Sequence, residues 1–190
     1  MVRFVGIDPG LSAPAVCVLG PAGGVASLKT IRSRLLGQER VARIIAGVMV
    51  ELAGPCLVAI EGYAYSRNLQ GARPAVEAVG ALKHALWSAG IEADHSIGPM
   101  TLRKYVTGRG RHGGRDDDKR AMMEAARSAG VSIIDDNQAD AWGLATILRD
   151  AYLLATEGRR PGTLFRHEVC QELVPWIREQ IRRLERGESA

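Results

Sequence analysis

Three short apolar runs crowd into the first 31 residues, at 2–7, Ala15–Leu19 and 25–31, joined through Asp8-Pro9-Gly10 and Gly20-Pro21-Ala22-Gly23-Gly24. Runs of this length between Pro- and Gly-rich turns are strands, and strands so closely connected return antiparallel, so the chain must open as a meander. The next segment has a different period. Val41, Ile44, Ile45, Val48 and Leu52 fall on one face of a helix over 38–52, which Gly54-Pro55 stops, and residues 56–60 resume as a buried strand ending at Glu61. A meander, a helix and a further strand make an α/β domain with a mixed sheet.

The rest of the chain is mostly helical. A helix is predicted over 72–90, with Val76, Val79, Leu86 and Trp87 on one face, then a short extended segment up to Gly98-Pro99 and a short helix over 100–106. Residues 107–118 lack apolar periodicity and are rich in Gly and Arg, so they read as a loop anchored by a helix over 119–128. Residues 131–134 are the last strand or a strand-like connector. Asp135 and Asp136 suit the N-cap of a helix carrying Ala139, Trp142, Gly143, Ala145, Thr146 and Leu148. Gly158-Arg159-Arg160-Pro161-Gly162 breaks the pattern, dividing a domain over 1–157 from a linker and helical extension over 158–190, whose amphipathic stretch at 165–184 is interrupted at Pro175.

At 190 residues and 46% hydrophobic, the chain can bury one substantial core. The formal charge is only +4, yet its basic residues concentrate between Arg103 and Arg115, so a local basic surface matters more than the total. Cys17, Cys56 and Cys170 form no paired framework, and two of them lie in strand-like stretches, which fits packed, reduced thiols. No stretch approaches the roughly 18 apolar residues of a membrane span. A soluble, cytoplasmic protein is expected.

Asp8 and Glu61 each close an apolar strand pattern, and a parallel pairing of those strands would bring both acids to one sheet end. Asp140 lies on the last helix of the domain, with Asp136 one turn before it and Asn137 three residues before it. Ala139, Ala141 and Gly143 are small enough to let that helix approach the sheet. Carboxylates gathered in this way raise one another's pKa, so a semi-buried cluster of them implies a bound cation, and an oxygen-only set favours magnesium or manganese over zinc.

Four blocks carry a resemblance: Gly6-Ile7-Asp8-Pro9-Gly10; Ile60-Glu61-Gly62 with Asn68; Lys104-Tyr105-Val106-Thr107-Gly108 with Lys119; and Ala139-Asp140-Ala141. Their order and approximate spacing resemble those of the RuvC family of Holliday-junction resolvases, over about residues 2–154. The first block also opens actin-like ATPases, but those need a longer, duplicated chain with a second phosphate loop. The resemblance implies a ribonuclease H-like, mixed five-stranded sheet flanked by helices, a two-fold homodimer, and hydrolysis of opposed phosphodiesters in a four-way DNA junction. It implies two Mg2+ ions per site, replaceable by Mn2+, with Asp8, Glu61 and Asp140 as three of four ligands. Asn137 stands where the family places the fourth, so either its amide oxygen or the neighbouring Asp136 completes the set.

Lys119 resembles a family lysine near the scissile phosphate, and Tyr63 or Tyr65 lies where the family places an aromatic that stacks on an unpaired base. Arg103, Lys104, Arg109, Arg111 and Arg115 are the candidate phosphate contacts. His112 reads as a flexible loop residue and His84 as a helix-surface one. The helix at 72–90 resembles the family's dimer interface, which Val169, Leu173, Trp176, Ile177, Ile181 and Leu184 of the extension would enlarge. The loop between Lys104 and Lys119 is longer than the family's usual one, which suits a divergent or phage-type member. A broader branched-DNA or flap nuclease, and a non-catalytic DNA-binding protein, are the alternatives.

Overall fold

The computed structural model describes residues 1–10, 13–62, 69–93 and 95–187. Strands β1 (Arg3–Asp8), β2 (Ala15–Leu19) and β3 (Val25–Thr30) form the expected antiparallel meander. Helix α1 (Gly37–Glu51) then leads to β4 (Cys56–Glu61), which lies parallel to β1 on its other side. Helix α2 (Leu69–Ser88) leads to β5 (Ser96–Ile97), parallel to β4, so the five-stranded sheet runs β3-β2-β1-β4-β5. Four helices complete the chain: α3 (Pro99–Thr107), α4 (Arg115–Ser128), α5 (Asp136–Glu157) and α6 (Leu164–Glu185).

The two-residue period of the strands splits the core between the two faces of the sheet. Phe4, Ala15, Cys17, Leu19, Leu57 and Ala59 face one way, into a cluster shared with α3, α4, α5 and α6. Val5, Ile7, Val16, Val18, Val58 and Ile60 face the other, onto α1 and α2. The parallel register pairs Ile7 with Ile60, so the next residues, Asp8 and Glu61, emerge together at the carboxyl ends of adjacent strands. Crevices outside such strand ends are where open α/β sheets bind ligands.

Helix α5 is the element against which much of the protein packs. Ala139, Ala141, Leu144, Ala145, Ile147, Leu148 and Ala151 are all buried, and their small members bring the helix onto β1 at Gly6. A Cβ at Gly6 would lie 2.0 Å from the Ala141 carbonyl oxygen and 2.6 Å from the Ala145 nitrogen, so no side chain fits between strand and helix. Asp135 caps α5 by accepting the Gln138 N–H at 3.0 Å.

Several expectations are corrected. Residues 131–134 form no strand: Val131 and Ile133 are buried, but in the helical cluster and not along a sheet edge. The fifth strand is the two-residue β5. Helix α4 begins at Arg115, so residues 115–118 are its first turn and not loop. The buried face of α2 carries Val79, Leu82 and Leu86, whereas Val76 and Trp87 are exposed. Helix α6 is not interrupted at Pro175; proline removes the donor for the Gln171 carbonyl, and both residues are on the solvent side, where water can satisfy it.

Val169, Leu173, Trp176 and Ile177 of α6 pack into the protein's own core, and Glu92 fastens the helix by accepting from Trp176, Gln180 and Arg183. Consumed in this way, these apolar residues cannot extend an intersubunit surface. The three cysteines are unpaired. Among the described residues, no helix is long and apolar enough to cross a membrane.

Candidate metal centre

Strand ends and helix proximity converge on one place. Asp8 at the end of β1, Glu61 at the end of β4 and Asp140 in the second turn of α5 offer carboxylate oxygens that all lie within 4.8 Å of one another. Asp8 is 7% exposed, and among the described residues none of the three is in an ion pair. Burial is the main cost. It pushes the Asp8 carboxyl up to about 8, helped by the charges of Asp140, Asp136 and Asp135 and opposed by a hydrogen bond from the Gly10 backbone.

Glu61 is pushed up to about 9, by burial first and then by Asp8 and Asp140, with Arg103 opposing. Asp140 rises to about 7, by burial and by Asp136, against Arg103 and Lys119. Three such carboxylates cannot all ionise near neutral pH unless positive charge is placed among them. A hard divalent cation accepts that donor set of clustered, unpaired carboxylate oxygens, so the residues fit the metal site that the sequence resemblance implies.

The rim of the cluster is basic, and each cation there has its own acid. Lys119 on α4 pairs with Asp136 at 2.5 Å, which leaves Asp136 beside the trio and engaged with lysine. The Asn137 amide nitrogen donates to the Ala13 carbonyl at 2.8 Å, tying the start of α5 to the β1–β2 connection. Asp135 is structural, accepting from Thr30 at 2.8 Å as well as capping the helix.

Arg103 is not the exposed phosphate contact its place in the basic run suggested. Its side chain is about one-fifth exposed, and it pairs with Asp118 at 2.9 Å and donates to the Gly110 carbonyl at 3.0 Å. Lys104 is exposed and rests over the Phe165 ring of α6, 3.9 Å from its centre. Arg109, Arg111 and Arg115 are exposed on or beside the loop. That loop is pinned: the buried Asp118 accepts the His112 N–H at 2.7 Å, and the Thr107 hydroxyl meets the His112 ring at 2.7 Å and accepts the Arg109 N–H at 3.2 Å. His112 is therefore an ordered, half-buried brace and not a free loop residue, while His84 is on the surface, stacked on Trp87. Tyr63, Tyr65 and Asn68 lie outside the described residues.

No known protein-family model and no curated protein matches this sequence. Solved structures do share its fold. A Thermus thermophilus RuvC structure superposes with a TM-score of 0.60 at 25% identity, covering 83% of this chain and 96% of that one. T. thermophilus RuvC in complex with a Holliday junction substrate gives a TM-score of 0.59 at 24% identity, covering 76% of this chain and 89% of that one.

Sequence reasoning missed Asp118. The sequence reading left it at the end of the 107–118 loop, whereas it lies in the first turn of α4. Its actual partners, Arg103 and His112, lie across the loop, and no local periodicity connects them.

Proposed function

We propose that this chain is a divalent-metal-dependent, structure-selective endodeoxyribonuclease that resolves four-way DNA junctions by paired phosphodiester hydrolysis. The observation that carries the reading is the unpaired trio that Asp8 and the half-buried Glu61, at the carboxyl ends of adjacent parallel strands, form with the half-buried Asp140 of α5, in a fold shared with a RuvC solved in complex with a Holliday junction substrate. Two Mg2+ ions, or Mn2+ in their place, would supply a water of lowered pKa and charge stabilisation at phosphorus. Asp8, Glu61 and Asp140 would hold them, with Asp136 or the Asn137 amide oxygen completing the set.

The other residues bind, orient and neutralise. Lys119, at the rim, is in reach of the site's electrostatic field and would favour negative charge developing on a bound phosphate. Arg109, Arg111, Arg115 and Lys104 would neutralise backbone phosphates of the junction arms, positioning the DNA without reading its bases. Because the loop is pinned at Thr107, His112 and Asp118, those arginines start from a set position. Tyr63 or Tyr65 would stack on a base unpaired at the branch. Two opposed nicks need two sites related by a two-fold axis, so the working form is a homodimer. The exposed Val76 and Trp87 of α2 support that surface as the interface. Such a protein would work in the cytoplasm, in DNA recombination and repair.

The test is incubation with matched four-way, flap, duplex and RNA/DNA hybrid substrates in Mg2+ or Mn2+. Paired nicks confined to the four-way junction are expected. Equal cleavage of flaps would demote the protein to a general branched-DNA nuclease, and binding without cleavage in either metal would make it a non-catalytic DNA-binding protein.

A further inference from the structure

Three unpaired carboxylates, one buried and two half-buried, beside two cationic side chains pose a problem. A guanidinium near a carboxylate pair ordinarily closes onto it in a two-pronged ion pair, which would fill the site with the protein's own cation. Arg103 stands on the rim of the trio: its partner Asp118 is next to Lys119 on α4, and Lys119 pairs with Asp136, one turn before Asp140 on α5. Yet it pairs with neither Glu61 nor Asp140. Its guanidinium is engaged by Asp118 at 2.9 Å and by the Gly110 carbonyl at 3.0 Å. Asp118 is itself fixed, being 7% exposed, on the first turn of α4, and accepting the His112 N–H at 2.7 Å. Lys119 is restrained in the same manner by Asp136 at 2.5 Å.

We propose that Asp118 is a positioning residue that holds Arg103 off Glu61 and Asp140, so that the carboxylate trio stays open to divalent cations. The inference rests on reading the trio as a cation site. It adds a competition within the protein: the arginine chooses between Asp118 and the trio, and only the first choice leaves room for metal. Neutralising Asp118 frees Arg103 to become an internal counter-ion. Removing the arginine takes away both the competitor and a repelling charge, so the two substitutions should move metal affinity in opposite directions.

The experiment is direct titration of the full-length chain with Mn2+, without DNA, on wild type, Asp8→Asn, Asp118→Asn, Arg103→Gln and the Asp118→Asn/Arg103→Gln double variant. Asparagine keeps the size of the side chain and an acceptor for the His112 N–H. Asp118→Asn should bind Mn2+ about tenfold more weakly than wild type, and Arg103→Gln several-fold more tightly, as a unit charge moved at close range in a partly buried site implies. The double variant should match Arg103→Gln. A double variant as weak as Asp118→Asn would show that Asp118 merely supports the structure, and wild-type affinity in Asp118→Asn would overturn the proposal. Should Asp118→Asn fail to fold, Arg103→Gln decides alone, since affinity equal to or below wild type sinks the idea. No Mn2+ binding by wild type, or binding unchanged by Asp8→Asn, would instead remove the cation site itself.

Discussion

Replacing Gly6 by alanine should damage both stability and the candidate centre, because the site is set by how closely α5 lies on β1. The added Cβ would sit 2.0 Å from the Ala141 carbonyl oxygen, 2.6 Å from the Ala145 nitrogen and 2.8 Å from the Leu144 Cβ. Two of those atoms are helix backbone, which cannot rotate away. An ordinary C···O contact is about 3.3 Å, so strand and helix must separate by more than about 1 Å. Overpacking of a core usually costs ~1–3 kcal/mol, and a clash against backbone belongs at the upper end. A loss of about 3 kcal/mol corresponds to a fall in Tm of roughly 6–12 °C for a domain of this size.

The same shift moves Asp140, next to Ala141, away from Asp8, two residues beyond Gly6. A displacement of about 1 Å in a reacting constellation can cost around a hundredfold in rate. Gly143→Ala is the comparison: its Cβ would meet Leu102 Cδ1 and Val106 Cγ2, both at 2.8 Å, which are side-chain methyls and not backbone. It should cost nearer ~1 kcal/mol, at the mild end of overpacking. Thermal unfolding and junction cleavage at saturating Mg2+ measure both effects. A Gly6→Ala protein with wild-type Tm and rate, or one no worse than Gly143→Ala, would refute the argument that this close approach sets the site.

Asp8, Glu61 and Asp140 keep protons in the folded chain at pH values where an unfolded chain has shed them. The metal-free protein should therefore lose stability as pH rises from about 5 to about 9, a slope that saturating Mn2+ should flatten; a Tm that instead climbs over this range, with or without metal, would contradict it. Replacing Arg109, Arg111 and Arg115 together by alanine should weaken junction binding and lower the slope of log affinity against log salt by roughly 0.9 for each phosphate no longer neutralised, with cleavage recovering at saturating protein. An unchanged slope would place the DNA path elsewhere. Asp136→Ala and Asn137→Ala should need different Mg2+ concentrations for half-maximal cleavage, and identical wild-type curves would show that neither side chain completes the ligand set.

Much of this arrangement is readable from residues alone, and the failures have physical causes. The meander and β4 declare themselves because buried strands need unbroken apolar runs between Pro- and Gly-rich turns. Once β1 and β4 are paired in parallel, Asp8 and Glu61 must share a sheet end. Asp140 follows from a helix whose small residues permit close approach. By contrast, 131–134 has the alternating burial of a strand but spends it against helices, and β5 is too short to show a period at all. The rotation of α2 misled because Val76 and Trp87 are apolar yet exposed. The loop is basic and glycine-rich in sequence but braced in space by Asp118, through contacts that only the tertiary fold creates. Pro175 reads as a break, yet α6 runs through it because the carbonyl it orphans faces solvent.

The most direct test of the central claim is cleavage of a four-way junction by wild type and by Asp8→Asn across a Mg2+ titration, with junction binding measured in parallel. The substitution removes the buried carboxylate of the trio and leaves the exposed arginines untouched. Wild type should nick opposed strands in a Mg2+-dependent manner, while Asp8→Asn should bind the junction with similar affinity and cut it at no Mg2+ concentration. Cleavage by Asp8→Asn at the wild-type rate would contradict the assignment of the trio as the metal centre.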